Sequence, residues 1–360
     1  MKIIDKYLVK QFLTMVLFGL LAISLLFVVI DLMENLDDFI DHNVSNGMII
    51  KYYIVFIPEI LRLITPVAVL LASLFTAGKM SNLNELTAMK ASGISLYRFM
   101  IPFLITSFFI SLISIYFGGF VVPDANKEKV FIEQNYMQKG IERTGSNVFF
   151  QDSRTRIVSI QYFNTSDNIA HKVSIQEFDA KDITQMISRM DAERMQYDTS
   201  AGIWIVRDGV QRFFRNNKET MNPFIEIKID YLGFKPADVV KKQQKPVEMT
   251  LSELNELAAD QLKTGNDPTR ILIEYHSRYS FAFASLIVVF FGLPISGNKR
   301  KGGMAIQVLI ILLVTFTYLF LMKIAEAFGK NGVVNPVLTA WSVNFLFLLG
   351  AIYNTYKNRK

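Results

Sequence analysis

The sequence predicts an α-helical membrane protein in which three transmembrane helices precede, and three follow, a domain of β-strands held outside the membrane. Apolar runs with few charged residues cluster before residue 123 and after residue 278, and the long segment between them is polar. Each run approaches the roughly 20 residues with which a helix crosses the ~30 Å hydrocarbon core. Within the polar segment, short stretches of alternating apolar and polar residues are typical of strands.

The six predicted spans divide the chain into three parts. The spans are residues 12–30, 52–77, 99–122, 279–296, 305–322 and 336–353. The corresponding domains are residues 1–122 with the first three spans, residues 123–270 with the strands and a connecting helix, and residues 271–360 with the last three spans. An even number of spans places both termini on one side of the membrane.

Lysine and arginine residues near the ends of the spans predict the orientation. Those on the side of the termini are Lys2, Lys6, Lys10, Lys79, Lys90, Arg98, Lys299, Arg300, Lys301, Lys357, Arg359 and Lys360, whereas the other side has only Lys51, Lys323 and Lys330. Because positive residues concentrate in cytoplasmic loops, we expect cytoplasmic termini and a central domain on the outer side of the inner membrane. We also expect the first run to remain as a span, since it is longer than a signal-peptide core and no small-residue cleavage site follows it.

The polar middle of the chain is predicted to form a small β-domain. Strands are expected at residues 147–151, 156–163, 170–179, 184–197, 202–214 and 224–232, and a short helix at residues 250–263. The spacing of the strands favours a β-sandwich or an incompletely closed barrel. Two interpretations remain open: a closed and fully packed core, or a sheet open enough to hold a lipid tail and to pair its edge strands with another protein.

The link between the second and third spans predicts a short cytoplasmic helix, which we call the elbow. Asn82 is a candidate N-cap, Glu85 follows at the capping-box position, and Gly93 is a candidate left-handed stop. We therefore expect a helix over residues 82–92. A rigid elbow suits a transporter that receives mechanical work from a separate ATPase, and the alternative is an amphipathic helix that rests on the lipid surface.

Composition and motifs provide no support for an enzyme. The chain has no cysteine, so disulfides and thiolate metal sites are excluded. His42, His171 and His276 form no metal-ligand pattern, and Glu274 with His276 lacks a third catalytic partner. No nucleotide-binding loop, zinc-protease motif or nucleophile elbow is present, so we expect no catalytic residue, metal or cofactor. The net charge of +6 indicates contact with anionic lipid rather than with nucleic acid.

Arg62 is the leading candidate for a substrate contact. A guanidinium buried near the outer face of a membrane usually marks a substrate pathway or a partner. Glu59 lies three residues earlier on the same helical face, so an ion pair between Glu59 and Arg62 is the competing interpretation. Lys323 and Glu326 repeat this ambiguity at the end of the fifth span.

Motifs along nearly the whole chain resemble those of one transporter family. Residues 84–95, with the sequence NELTAMKASGIS, closely resemble the signature of the LptF/LptG permeases, the membrane subunits of the lipopolysaccharide exporter. Further similar motifs are Asp5-Lys6-Tyr7, Pro58 and Pro66, Glu274 with His276 and Arg278, Leu293-Pro294-Ile295, and Asn335-Pro336 with Trp341 and Asn344. The end of the last span and the length of the chain favour the LptG member over the LptF member.

This resemblance implies a fold and a set of partners. The fold is three spans, a periplasmic β-jellyroll and three further spans in the bacterial inner membrane. The partners are a paralogous LptF-type or LptG-type permease subunit, a dimer of the ATPase LptB, the single-span protein LptC, lipopolysaccharide and membrane lipid. ATP hydrolysis then belongs to the partner, and the chain is not itself an enzyme.

The resemblance also implies roles for individual residues. The residues expected to dock in the ATPase groove or to shape that helix are Glu85, Leu86, Met89, Lys90 and Gly93. The candidates for contact with lipid A phosphates are Arg62, Glu59 and Lys323. The alternative function is a mechanotransmission subunit similar to FtsX or MacB that moves no lipid. Such subunits generally have four spans, so the three-plus-three arrangement argues against this alternative.

Overall fold

The computed structural model of the chain describes residues 3–139, 148–164, 167–215, 218–236, 238–239, 245–263, 266–296, 303–332 and 334–357. The chain divides into two compact units. The helical unit comprises Met1–Gly140, Pro246–Ala259 and Asp267–Lys360, and the sheet unit comprises Ile141–Lys245 and Asp260–Asn266. Of the basic residues used to predict the orientation, Lys2, Lys299, Arg300, Lys301, Arg359 and Lys360 lie outside the described residues.

Ten α-helices are found among the described residues. They are α1 (Ile3–Glu34), α2 (Leu36–Asp41), α3 (Asn46–Asn82), α4 (Glu85–Ala91), α5 (Leu96–Tyr116), α6 (Val122–Tyr136), α7 (Leu251–Lys263), α8 (Thr269–Ser296), α9 (Gly303–Lys330) and α10 (Pro336–Lys357). A π-helical turn, Phe117–Val121, joins α5 to α6, and a 3₁₀ turn, Pro246–Glu248, precedes α7.

Five helices in the described part of the chain are long and apolar enough to cross a membrane. They are Ile3–Glu34, Asn46–Asn82, Leu96–Tyr136, Thr269–Pro294 and Pro336–Lys357. Four of them contain a predicted span, and Thr269–Pro294 covers residues 279–294 of the predicted span 279–296. The remaining predicted span, residues 305–322, lies within α9. The structure therefore has the several apolar helices of a multi-pass membrane protein, and the number of six spans stays a prediction.

Local sequence signals explain where several helices begin. The Ser45 hydroxyl accepts a hydrogen bond from the Met48 backbone N–H at the start of α3, and Ser95 does the same for Arg98 at the start of α5. At α7 the Thr250 hydroxyl accepts from the Glu253 N–H at 3.3 Å, and the Glu253 carboxylate accepts from the Thr250 N–H at 2.7 Å. This is a complete capping box.

Glu253 lies outside the membrane-spanning segments, and its capping bond changes the pKa of its carboxyl group. Burial raises the pKa of its carboxyl, but the Thr250 N–H and the Lys127 ammonium outweigh burial and hold the pKa below its ordinary value. At pH values above the ordinary pKa of a glutamate, the cap contributes its full stabilisation to the start of α7. This stabilisation is lost as the pH falls through the lowered pKa of Glu253.

A buried polar network joins the last three long helices. Asn344 on α10 donates from its amide to the carbonyl oxygen of Ser280 on α8 at 2.8 Å, and the Tyr318 hydroxyl on α9 donates to the Asn344 side-chain oxygen at 2.6 Å. Asn344 is 2% exposed and Tyr318 is 1% exposed. Because these groups are removed from water, their mutual hydrogen bonds fix which faces of the three helices meet.

We expect the substitution Asn344→Ala to destabilise the helical unit, because it leaves the Tyr318 hydroxyl and the Ser280 carbonyl without this partner. A double-mutant cycle with Tyr318→Phe should give a coupling free energy of about 0.6 to 1.7 kcal/mol. The measurement is reversible unfolding of the full chain in mixed micelles, with Tyr353→Phe as an exposed control on the same helix. A coupling energy near zero would contradict the network.

The described strands form one antiparallel sheet. They are β1 (Val148–Ser153), β2 (Arg156–Asn164), β3 (Ile169–Phe178), β4 (Met186–Asp198), β5 (Ile203–Arg215) and β6 (Lys218–Ile229), and each pairs with its neighbours in chain order. All six overlap predicted strands, and β6 begins earlier than expected. Side chains from one face, including Val158, Val173, Met195 and Trp204, form a single buried core.

The sheet curves strongly. The Gly233 backbone N–H, which follows β6, donates to the Asp152 carboxylate on β1 at 2.7 Å, and the Arg156 guanidinium on β2 donates to the Tyr231 carbonyl. Five strand spacings of ~4.8 Å would separate β1 from β6 by about 24 Å in a flat sheet. The four residue-to-residue steps from Ile229 to Gly233 reach at most about 14 Å, so the two edges must approach each other.

The described strands are connected as a meander, which does not confirm the predicted jellyroll. A jellyroll contains two Greek keys, in which strands cross over to non-adjacent positions. The described strands have no such crossover, and they form one curved sheet rather than a two-sheet sandwich. The structure shows a sheet domain inserted between apolar helices, and the jellyroll stays a prediction.

Candidate functional site

A cavity of the helical unit lies among α1, α3, α8, α9 and α10 and has a volume of about 610 Å³. Its walls are mainly apolar. The apolar side chains include Ile23 and Phe27 on α1, Ile64 on α3, Phe281 on α8 and Leu319 on α9. A volume of this size is within the range of small-ligand sites. The cavity can therefore surround apolar groups of a ligand.

Charged side chains interrupt the apolar lining. Four cations line the cavity, Arg62, Arg278, Lys323 and Lys330, together with the two acids Glu274 and Glu326. Glu326 is shared by both lysines, with N–O distances of 2.9 Å to Lys323 and 2.5 Å to Lys330. Glu274 pairs with Arg278 at 3.4 Å. The cations outnumber the acids by two, so the lining favours an anionic ligand.

Arg62 lies where α3 loses a helical hydrogen bond. Pro66, one turn later, has no N–H to donate to the Arg62 carbonyl. The aliphatic stem of Arg62 packs against the π-helical turn, where a Cβ added to Gly118 would lie 3.2 Å from the Arg62 Cδ. The structure therefore holds Arg62 by its stem rather than by a charged partner.

The predicted ion pair between Glu59 and Arg62 is not formed. Both residues are described, and no salt bridge within 4.0 Å joins them. The buried Arg62 Nε has no hydrogen-bond partner within the described part of the chain. Glu59 is half-buried and does not line the cavity. Arg62 and Lys323 thus share one cavity, and Glu59 lies apart from them.

Arg278 has a different environment from Arg62. Its side chain is 3% exposed, and its guanidinium donates to the Met249 carbonyl at 2.5 Å and to the Pro246 carbonyl at 2.8 Å. These carbonyls belong to the turn that precedes α7. A Cβ added to Gly119 in the π-helical turn would lie 2.5 Å from Leu251 Cδ1, so the absent side chain makes room for α7. Arg278 therefore fastens the start of α7 to α8.

The elbow is shorter than expected. The prediction was a helix over residues 82–92, whereas α4 has seven residues, Glu85–Ala91. Asn82 is the last residue of α3 and not an N-cap, because the preceding helix continues to it. The N-cap is Asn84, with a left-handed φ of 61° and no capping bond from its side chain. Gly93 has the predicted positive φ, at 84°.

The elbow side chains that were predicted to dock do not all point the same way. Leu86 is 3% exposed and belongs to a core that includes Leu8, Phe12 and Met80, and Met89 packs partly against the same core. Glu85 is half-buried, whereas Lys90 and Gly93 are exposed. Leu86 therefore anchors the elbow to its own chain in this conformation and cannot lie on an outer docking surface.

Sequence reasoning missed several residues of both regions. In the cavity these are Arg278, Glu274 and Lys330, although spacings of four residues from Glu274 to Arg278 and from Glu326 to Lys330 would have signalled ion pairs. The pair of Lys323 and Glu326 considered from the sequence is formed. On the elbow the exposed face also contains Leu83, Thr87, Ala88 and Ala91. Within the described residues, no group of three or more His, Asp or Glu side chains could hold a metal ion.

Comparison with known proteins decides the family. The family model described as lipopolysaccharide export system permease LptF/LptG matches residues 6–357. The chain belongs to the LptF/LptG family. The lipopolysaccharide export system permease proteins LptF of Escherichia coli (strain K12) and of Shigella flexneri are each 20% identical to it over 97% of this chain and 93% of theirs.

Membership of the LptF/LptG family confirms the resemblance found in the sequence. It makes the chain a permease-type transporter subunit with a role in lipopolysaccharide export, and it agrees with the apolar helices of an inner-membrane protein. The family model covers both members, whereas the two relatives are named LptF. The preference for LptG therefore stays a prediction.

Proposed function

We propose that this chain is one half of the permease of an ABC-type exporter that extracts lipopolysaccharide from the outer leaflet of the inner membrane. The supporting observation is the cavity of about 610 Å³, whose walls are apolar and whose charged residues have a positive excess. Lipopolysaccharide has the matching chemistry, with several acyl chains next to phosphates. In this proposal Arg62 and Lys323 contact a phosphate, and the apolar walls surround acyl chains.

Energy from ATP is required because the acyl chains do not leave the bilayer unaided. Moving apolar chain out of lipid costs about 0.8 kcal/mol per CH₂ group, which accumulates over several chains. An apolar cavity followed by an apolar sheet face replaces the lipid environment in two steps. The ATPase LptB supplies the work, a paralogous LptF-type or LptG-type chain completes the cavity, and LptC receives the lipid on the periplasmic side.

The elbow is the proposed contact with the ATPase. Glu85, Met89, Lys90 and Gly93 are retained from the sequence-based assignment, and Leu86 is given the role of an anchor because it is buried in the chain's own core. The exposed face adds Thr87 and Ala91, which are one helical turn apart, and Leu83 is exposed just before the helix begins. In this arrangement the termini and the elbow are cytoplasmic and the sheet unit is periplasmic.

The alternative is a mechanotransmission subunit that carries no lipid. It also requires an elbow on an ATPase, so the elbow does not discriminate between the two functions. The cavity does, because a subunit that only transmits motion needs no large apolar chamber with unpaired positive charge. We therefore favour export.

The substitution Arg62→Gln tests the phosphate contact. It should weaken binding of bisphosphorylated lipid A about tenfold to a hundredfold, since a hydrogen bond to a charged group contributes about 1.5–3 kcal/mol. Arg62→Lys should lose less, because the charge remains. Binding is measured on the complex in nanodiscs, with Lys51→Gln as a control on the same helix outside the cavity. An equal loss for dephosphorylated lipid A would contradict the assignment.

Co-purification tests the assembly. A tagged chain extracted in mild detergent should carry an ABC-type ATPase, a second six-span chain and lipopolysaccharide, identified by mass spectrometry. Recovery of a stable homodimer without an ATPase would remove the energy source and overturn the exporter. Glu85→Ala should leave the chain inserted but reduce both ATPase capture and export; persistence of both would remove Glu85 from the contact.

A further inference from the structure

The first turns of α1 are bonded to the elbow. The Tyr7 hydroxyl donates to the two oxygens of the Glu85 carboxylate, at 3.3 and 3.2 Å, and itself accepts a hydrogen bond from the Gln11 amide at 2.7 Å. Glu85 is the first residue of α4. A polar link thus joins the start of the chain to the start of the elbow.

Apolar contacts support this link. Leu8 and Phe12, which flank Tyr7 and Gln11 on α1, are 1% and 0% exposed and share one buried core with Leu86. Met89 packs against the same core. The elbow and α1 therefore share a polar link and a common buried core.

A second polar link lies just beyond the elbow. The Arg98 guanidinium donates to both oxygens of the Asp5 carboxylate, at 2.7 and 2.8 Å, and the Asp5 side chain is only 11% exposed. Arg98 is in the first turn of α5, which follows the elbow. Asp5 and Tyr7 consequently connect α1 to the residues on both sides of the elbow turn.

The same helix forms part of the cavity wall. Ile23 and Phe27 of α1 line the cavity, and Phe27 lies roughly 30 Å along the helix from Tyr7 at ~1.5 Å per residue. The α1 sequence contains no proline, whereas α3 contains Pro58 and Pro66 and α5 contains Pro102. Proline interrupts the hydrogen bonding of a helix and allows it to bend, so α1 is the stiffest of the three helices that meet at the elbow.

We propose that Tyr7 is a positioning residue that fastens α1 to the elbow, so that displacement of the elbow moves the wall of the cavity formed by Ile23 and Phe27. Asp5 holds the same end of α1 to α5. The inference rests on the proposed function, because it takes the displacement to come from an ATPase docked on the elbow. It adds a route by which that motion reaches the cavity through α1 rather than through the proline-containing α3.

The substitution Tyr7→Phe tests this route, since it removes one oxygen and keeps the ring. In proteoliposomes that contain the complex, the amount of lipid A released per ATP hydrolysed should fall about threefold to tenfold, because the lost hydrogen bond is solvent-exposed and contributes less than a buried one. Capture of the ATPase and its rate of hydrolysis should remain, since Leu86 and Met89 still hold the elbow. Tyr97→Phe is the matched control: Tyr97 lies in the first turn of α5, is 47% exposed, and has no hydrogen bond from its hydroxyl to another described residue.

A distance measurement on the full chain alone separates the two proposals. The sequence has no cysteine, so spin labels can be placed at the exposed positions Lys10 and Ala88 without background. The Tyr7→Phe variant should broaden the distance distribution between these labels, and Tyr97→Phe should not. An unchanged distribution, or an unchanged ratio of lipid to ATP, overturns the role of Tyr7 and leaves the exporter intact. A wild-type chain that captures no ATPase overturns the exporter and this route with it.

Discussion

Replacement of Arg278 by Gln is expected to lower the stability of the helical unit by about 3–5 kcal/mol, as is usual when one member of a buried charged pair is removed. The guanidinium makes two hydrogen bonds to the carbonyls of Met249 and Pro246 and one contact with Glu274. Its loss leaves two carbonyls and a carboxylate without this donor. The start of α7 should then separate from α8.

The measurement is reversible unfolding of the full chain in mixed micelles. Arg278→Lys should give an intermediate loss, because a single ammonium retains the charge but lacks the planar fork that reaches two carbonyls. Arg270→Gln is the matched control, since Arg270 is on the same helix and exposed. If Arg278→Gln unfolds at the same denaturant concentration as Arg270→Gln, the fastening role is excluded.

Substitutions of the two arginines that line the cavity are therefore expected to affect different measurements. The Arg278 guanidinium already donates to two carbonyl oxygens, so its substitution should change stability more than lipid binding. The buried Nε of Arg62 has no partner among the described residues, and Arg62 should affect lipid binding more than stability. This difference could not be inferred from the sequence, in which both are single arginines within apolar helices.

Periodicity and local signals predicted much of the framework. The apolar runs identified the long helices because a buried or lipid-facing helix needs an unbroken apolar surface. The spacing of short runs, with alternation in places, predicted strands that overlap all six described ones, and the helix expected from residue 250 begins there with a capping box of Thr250 and Glu253. Gly93 was predicted from the need for a positive φ after a helix, and the structure gives it that conformation.

Tertiary contacts account for what the sequence did not predict. Helical spacing placed Glu59 beside Arg62, but packing against Gly118 holds Arg62 elsewhere. An apolar position such as Leu86 shows that one face of the elbow is buried, yet not whether its own chain or a partner buries it. The π-helical turn Phe117–Val121 carries α5 directly into α6, beyond the predicted end of the third span at residue 122.

The second large effect is expected at Gly209, in the middle of the sheet. Gly209 on β5 pairs with Ala192 on β4 and with Phe224 on β6. A Cβ added there would lie 2.5 Å from the Asp191 backbone oxygen, 2.5 Å from the Phe224 ring and 3.0 Å from the Ala192 Cβ. The backbone oxygen belongs to a paired strand and cannot rotate away, so the strands themselves must shift.

We therefore expect Gly209→Ala to destabilise the sheet unit by about 1–3 kcal/mol, the usual cost of overpacking a core. Trp204 reports on the same core, since it is 1% exposed and its indole N–H donates to the Phe234 carbonyl at 2.9 Å. Its fluorescence can be followed during unfolding in a Trp341→Phe background, because the chain has only two tryptophans.

Gly233→Ala is the control within the same unit, because its added Cβ would meet only the Asp152 carboxylate oxygen at an ordinary 3.4 Å. Equal unfolding midpoints for the two variants would show that the strands around Gly209 shift to accept the added methyl group without a loss of stability. A lower midpoint for Gly209→Ala would instead show that the apolar face of the sheet is rigidly packed at β4, β5 and β6.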